Sequence, residues 1–352
     1  MQELNKTRVV KILRIVMPIV GVVIFLLTAP LSAIAVWLQP LPDTVQEQLD
    51  NAIAHDVDGL IVYVDQPGKD PALYAAGWKN REEQMPADPE ALFKIASISK
   101  LYLATAAAKL VSDGSLSLDD TLTDYLPEYE GRIENADEIT LRMMLQHRSG
   151  IPDFVDHPDW PWSEALPDVD ALLEFALDEP AEFEPDRRYS YSNTNYLLIA
   201  RIIDYALGYD HQDYIRAEIL APLGLTNTYG SADDIDLDDL DDLASGYHYG
   251  IEADQKGVRI IGSSGSMVAT AQDVGIFLRA LSDGSLLNDD EQAIYSSIYE
   301  YEHGGWILGY QSIARYHADT DTVVVLFMNS TGGDTEAVIY IIFNRIVRIL
   351  NR

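Results

Sequence analysis

Ser97 and Lys100 stand three residues apart in the run Phe93-Lys94-Ile95-Ala96-Ser97-Ile98-Ser99-Lys100, which leads into an alanine-rich apolar stretch from Leu101 to Leu110. Positions i and i+3 share one face of a helix, so the hydroxyl and the amine can meet. A serine hydroxyl is a poor nucleophile until a neighbouring base takes its proton. A buried lysine can be that base, because desolvation lowers its pKa from about 10.4. The helix start adds partial positive charge where an oxyanion would form. Alone, Ser-x-x-Lys is a weak signal, since both residue types commonly open a solvated helix.

Two further stretches fit the same chemistry. Tyr189-Ser190-Tyr191-Ser192-Asn193-Thr194-Asn195-Tyr196 precedes an apolar helical pattern. A tyrosine hydroxyl titrates near 10, and a nearby ammonium stabilises its phenolate. Tyr191 can then relay a proton between Ser97 and a leaving group, while Asn193 can hold a substrate amide and contact Lys100. The second stretch is His303-Gly304-Gly305-Trp306-Ile307-Leu308-Gly309-Tyr310, entering a strand. Glycines such as Gly305 let a substrate backbone come close to a strand. The backbone N–H groups of Ser97 and Trp306 are candidates for an oxyanion hole. His303 is a candidate for binding a carboxylate or assisting proton transfer.

Elements to position these residues can be read from periodicity. Leu101 to Leu110 predicts a buried helix that stops near Gly114. Gly59–Asp65 and Ala72–Trp78 read as a strand pair around the turn Gln66-Pro67-Gly68-Lys69. The middle of the chain is largely helical: Ile139–Leu145 with Thr140 as N-cap, Asp168–Leu177, Tyr196–Leu207 closed by Gly208, and His211–Leu220. Thr270–Leu281 reads as a helix opened by a capping box with Asp273. Strands return at Gly309–His317 and Thr322–Asn329. The apolar helix Glu336–Leu350 must be buried against something, and a sheet made from the first and last strands is the natural partner.

Taken together, the three motifs resemble those of the serine β-lactamase and DD-peptidase superfamily, and most of all its class C β-lactamase-like branch. The resemblance runs from Val57 to Asn329. It includes two structural signatures, Gly114–Glu128 and Ile139–Pro152, the latter ending Gln146-His147-Arg148-Ser149-Gly150-Ile151-Pro152. It departs at Pro185-Asp186, where relatives usually have Pro-Gly, and in having histidine first in the third motif. The resemblance implies an α/β fold of the α+β sandwich kind: an antiparallel sheet from both chain ends flanked by helices, plus a mainly helical domain from the middle. It implies a serine hydrolase acting through an acyl-enzyme on Ser97, with Lys100 and Tyr191 sharing the acid and base work. Asn193, His303, Gly305 and Trp306 would then position the substrate. Histidine in the third motif favours D-Ala-type peptidase or esterase activity over strong β-lactamase activity. Specificity is expected in the loops Pro152–Ala165 and Asp233–Gly257.

The 352 residues allow one large domain or two small ones. Cysteine is absent, which excludes thiol catalysis, disulfides and cysteine-ligated zinc. A formal net charge of -33 argues against nucleic-acid binding and is compatible with a saline habitat. Lys6, Arg8, Lys11 and Arg14 precede an apolar run from Ile15 to Leu38. About 24 residues cross a hydrocarbon core of roughly 30 Å, so residues 1–40 are expected to be a cytoplasmic flank and transmembrane helix. The bilayer is then a partner, and the hydrolase domain, 41–352, faces outward from the cell membrane. Ala33-Ile34-Ala35 also resembles a signal-cleavage site.

Other chemistries fit less well. Gly262-Ser263-Ser264-Gly265 does not supply the Gly-x-Ser-x-Gly elbow of an α/β-hydrolase. The seven histidines show no zinc-ligand cluster, so no metal and no cofactor are expected. Asp234, Asp236 and Asp238 have calcium-loop spacing, but Asp239 stands where glycine is needed. A membrane-tethered binding or scaffold module with the same fold is the alternative of another class, and intact Ser97, Lys100, Tyr191 and Asn193 argue against it.

Overall fold

The computed structural model describes residues 10–11, 13–14, 16–21, 30–55, 57–161, 168–235 and 240–352. Its labelled elements, in chain order, are α1 (Leu31–Leu38), α2 (Val45–Ala52), β1 (Gly59–Asp65), β2 (Ala72–Asn80), β3 (Met85–Pro86), β4 (Phe93–Lys94) and α3 (Ser99–Ser112). Next come α4 (Leu141–Leu145), α5 (Val169–Leu173), α6 (Asn193–Leu207), α7 (His211–Ile215), β5 (Thr228–Tyr229), β6 (Val268–Ala269), α8 (Ala271–Asp283) and α9 (Asp289–Ile298). The chain closes with β7 (Glu302–Ile307), β8 (Tyr310–His317), β9 (Thr322–Met328) and α10 (Thr335–Leu350).

The central sheet has six strands in the order β3-β2-β1-β9-β8-β7, and every pairing is antiparallel. It is built from the two ends of the chain, as the sequence predicts. Side chains alternate across it. Leu60, Val62 and Val64 of β1, with Val324, Leu326 and Met328 of β9, join a core under α1, α2 and α10. Ile61, Tyr63, Val323, Val325 and Phe327 point the other way, into the core shared with α3 and α8. A strand buried on both faces has no polar side to show, which is why β9 reads as a continuous apolar run. Gly275 lets α8 lie close on the sheet: a Cβ there would stand 2.2 Å from the Tyr63 ring.

The local signals in the helices act as expected at several ends. Thr140 caps α4 by accepting from Met143 N–H, and Gly208 closes α6 in the left-handed conformation. Thr270 caps α8, accepting from Asp273 N–H. The Asp273 carboxylate, however, reaches Asn227 N–H and the Thr228 hydroxyl instead of closing a capping box.

Two expectations need correction. The run His303–Ser312 is not the entry to one strand: β7 is a strand of its own, turned into β8 through Leu308 and Gly309, with Gly309 at φ +85°. The membrane span expected over Ile15–Leu38 lies in part outside the described residues, and among those described no helix is long and apolar enough to cross a membrane. Its last eight residues form α1, which buries Ala33 and Val36 in the core beneath α10, while Ser32 N–H donates to Asp334 at 3.0 Å. An apolar run fits a protein neighbour as well as a lipid one, and here part of it meets protein. The aspartate series Asp234, Asp236 and Asp238 also falls partly outside the described residues; Asp234 accepts from Ser231 N–H.

Candidate active site

Ser97 sits on a short 3-10 turn, Ala96–Ile98, between β4 and α3. Ala96 precedes it at φ +51°, a left-handed conformation that costs a non-glycine residue of order 1–3 kcal/mol and is concentrated at functional sites. Ile95, Ala96 and Ile98 are buried, which holds the turn in place. β7 lies against it. A Cβ on Gly305 would stand 2.4 Å from Ile95 O and 2.2 Å from Ser312 Oγ, so only glycine permits this approach.

Lys100 is fully buried on the first turn of α3. Its Nζ lies 3.1 Å from Ser97 Oγ, 2.8 Å from Asn193 Oδ1 and 2.6 Å from Ser264 O. Burial lowers its pKa to about 7, against a smaller upward pull from the Asp153 carboxylate. All three partners are oxygens that accept from the amine; in its neutral form two N–H groups serve Asn193 and Ser264, and the lone pair is free to take the Ser97 proton. Asn193, the first residue of α6, donates in turn to Asp153 Oδ2 at 2.8 Å. Burial raises the Asp153 pKa, while its hydrogen bonds and Lys100 oppose the rise.

The Tyr191 ring lies 5.0 Å from Lys100 Nζ. Its buried hydroxyl makes no hydrogen bond among the described residues. Burial pushes its pKa well above the ordinary value, and the nearby Ser97 hydroxyl pulls less strongly the other way. Tyr191 therefore holds its proton in the unliganded site. The His147 imidazole stacks on Tyr191 at 4.4 Å, accepting at Nδ1 from Ser192 N–H. The His303 ring lies 6.1 Å from the Tyr191 ring, and both line the same cleft. Burial first, then the Lys100 charge, pushes both histidines down to about 3. A neutral His303, donating from Nδ1 to Gly304 O, offers no positive charge to a carboxylate, which weakens the carboxylate-binding expectation for it.

Tyr316 N–H donates to Tyr301 O, and bonded pairs alternate along an antiparallel ladder. The register then binds His303, Gly305 and Ile307 to β8 and turns the backbone of Gly304 and Trp306 to the open edge. The Trp306 indole donates to Glu336 at 3.1 Å. Ser97, Tyr191, Asn193, Gly304, Gly305 and Trp306 line one cleft of about 630 Å³, together with Phe154, Trp160, Leu172 and Ile261. His303 lines it as well, and Lys100, which does not line the cleft, meets it from beneath through Ser97 and Asn193. His147, Asp153 and the Ser264 carbonyl were not foreseen. His147 lay in a motif read as structural, and neither Asp153 nor a carbonyl carries any signal in its sequence neighbourhood.

Among the described residues, Asp204, Asp210 and His211 bring three ligand-type atoms within 4.8 Å of one another. They line a different cavity from Ser97.

The family model described as Beta-lactamase matches residues 42–297. Penicillin-binding protein 4* of Bacillus subtilis is 29% identical over 225 residues, 62% of this chain and 46% of that protein. Protein flp of Staphylococcus aureus is 28% identical over 196 residues, covering 53% of this chain and 39% of its own length. The chain spans about half the length, or less, of these curated relatives. A solved D-amino acid amidase from Ochrobactrum anthropi SV3, complexed with L-phenylalanine amide, superposes with a TM-score of 0.77 at 26% identity, covering 87% of this chain and 97% of that one. A class C beta lactamase from Rhodobacter sphaeroides superposes at 0.69 with 23% identity, over 87% of this chain and all of the other, a likeness of fold.

Proposed function

The chain belongs to the Beta-lactamase family, and on that footing we propose that it is a serine hydrolase working through an acyl-enzyme on Ser97. The observation that carries this is the Lys100 amine, fully buried, its pKa lowered to about 7, within 3.1 Å of the Ser97 hydroxyl. Lys100 takes the serine proton as Oγ attacks the substrate carbonyl. Tyr191, which keeps its proton, passes one to the departing amine or alkoxide. The backbone N–H groups of Ser97 and Trp306 hold the oxyanion, and Asn193 and Gly305 seat the substrate. Water then releases the acyl group by the same groups in reverse.

The substrates we propose are amides and esters of small acyl groups with an apolar side chain: D-amino-acid amides, D-Ala-type peptides and short esters, with β-lactams turned over weakly. The apolar lining of the cleft and the resemblance to a D-amino acid amidase support this. A neutral His303 and a Lys94 amine already donating to the Gln255, Lys256 and Val258 carbonyls favour amidase or esterase over carboxypeptidase activity. A hydrolysis panel of D-amino-acid amides, D-Ala-D-Ala peptides, p-nitrophenyl esters and nitrocefin, run with Ser97→Ala alongside, tests it. Turnover of at least one amide or ester class should disappear in the mutant, and a penicillin probe should stop modifying the peptide that carries residue 97. Equal turnover of every substrate by wild type and mutant would sink the assignment.

We also propose that the residues before α1 tether the protein to a bilayer. Support comes from the exposed apolar side chains Val10, Leu13, Val16, Met17, Ile19 and Val20, which are described as helical. Full-length protein should stay with the membrane pellet in high salt and leave it in detergent; recovery in the soluble fraction without detergent would refute the tether.

A further inference from the structure

The loop that lends its Ser264 carbonyl to Lys100 carries a second serine, Ser263, facing the opposite side. Ser263 Oγ lies 2.5 Å from His211 Nε2. His211 Nδ1 lies 2.8 Å from Asp204 Oδ1. The imidazole is largely buried, and Ser263 is half-buried. Asp204 is in the last turn of α6. Gly208 reverses the chain, and His211 opens α7 with Asp210 as its N-cap. The same Asp204 oxygen accepts the His211 backbone N–H at 2.5 Å, so the carboxylate is fixed from two directions. An Nδ1 proton shared with Asp204 leaves the Nε2 lone pair for the Ser263 hydroxyl, which is the order a nucleophile, its base and an orienting acid require.

We propose that Ser263, His211 and Asp204 form a second nucleophilic site, separate from Ser97, that takes small uncharged esters. Three observations support a reactive role. The triad opens on its own cavity of about 560 Å³, walled in part by Leu197, Ala200, Ile260 and Ile261. The Gln212 amide lies 3.4 Å from Ser263 Oγ and 3.2 Å from His211 Nε2, where a side-chain donor can receive an oxyanion. The cationic groups at the rim are already engaged: Arg201 with Asp170, Arg216 with Asp213 and Arg259 with Asp233. They leave no spare positive charge for an anionic substrate. A resident metal is the competing use of Asp204, Asp210 and His211, and the two hydrogen bonds already held by Asp204 Oδ1 argue against it.

In the step proposed, Ser263 Oγ bonds to the acyl carbon while its proton passes to His211 Nε2. The ester C–O bond breaks, and the alkoxide leaves with that proton. Water then adds to the acyl carbon, gives a proton to His211, and displaces Ser263 as the free hydroxyl with release of the acid.

The test is labelling of the full chain by diisopropyl fluorophosphate in a Ser97→Ala background, read by peptide mass mapping. The peptide carrying Ser263 should gain the phosphoryl group with loss of fluoride. Ser97→Ala/Ser263→Ala should take none, and Ser97→Ala/His211→Asn should react about 10²–10⁴-fold more slowly, with circular dichroism confirming that each variant is folded. A folded Ser97→Ala protein unlabelled at Ser263, or one labelled equally fast after His211→Asn, overturns the proposal. So does labelling or folding that changes when EDTA removes a bound metal. Wild type labelled at Ser97 alone leaves the primary reading intact and removes this one, whereas label at Ser263 alone does the reverse.

Discussion

At the scale of single residues, the site rests on what burial does to one amine. Lys100 would keep a pKa near 10.5 in water; taken fully out of water it falls to about 7. The sign of the resulting pH dependence follows. Below pH 7 the ammonium predominates and no lone pair is available for the Ser97 proton, so kcat/KM should fall about tenfold per pH unit there and level off above. A pH–rate profile checks this, and a flat profile from pH 5 to 8 would remove Lys100 as the base. Asp153 refines the prediction. Its charge raises the Lys100 pKa, so Asp153→Asn, which retains an oxygen able to accept from Asn193, should move the acid limb to lower pH. A limb that stays put or moves up would show that the charge does not act on Lys100. Tyr191 is driven by the same desolvation in the opposite sense, since its charged form is the anion. Two groups pushed apart in this way suit the division of work proposed above, with the amine as base and the phenol as acid.

At the scale of elements, the cleft depends on how closely two pieces of chain approach. β7 can lie against the Ser97 turn because Gly305 has no side chain. Gly305→Ala should therefore displace the strand and lower kcat/KM by tenfold or more, with the apparent pKa of the acid limb unchanged; an alanine variant at wild-type kcat/KM would show that the contact is not needed. Gly275→Ala is the contrasting case. It crowds the Tyr63 ring beneath α8, so it should cost about 1–3 kcal/mol by overpacking, read as a lower midpoint in denaturant. Per unit of folded protein, turnover should be unchanged, because α8 only backs the sheet. Both contacts arise where the chain had a helix or strand pattern interrupted by a small residue. The pattern predicted the element, and the glycine alone did not reveal what it would be pressed against.

At the scale of the whole molecule, 57 acidic against 24 basic residues leave the fold under mutual repulsion. Salt screens such charges over about 10 Å at 0.1 M, so thermal midpoints should rise as NaCl is raised from low to molar concentration; a midpoint that falls would mean that the ion pairs outweigh the repulsion. The sequence by itself determined the main elements, because side-chain pattern is a local property: the apolar runs of β1 and β9, the caps at Thr140 and Gly208. It also singled out Ser97, Lys100, Tyr191, Asn193, His303, Gly305 and Trp306, since their motifs are short and contiguous. Only the tertiary structure decided which distant groups complete the site. The Ser264 carbonyl meets Lys100 across 164 positions of chain, and His211 meets Ser263 across 52. It also decided that α1 packs on α10, where the apolar run and its basic flank had pointed to lipid. Contacts of that reach are set by how layers stack and loops close, and the pKa values follow from the burial those contacts create.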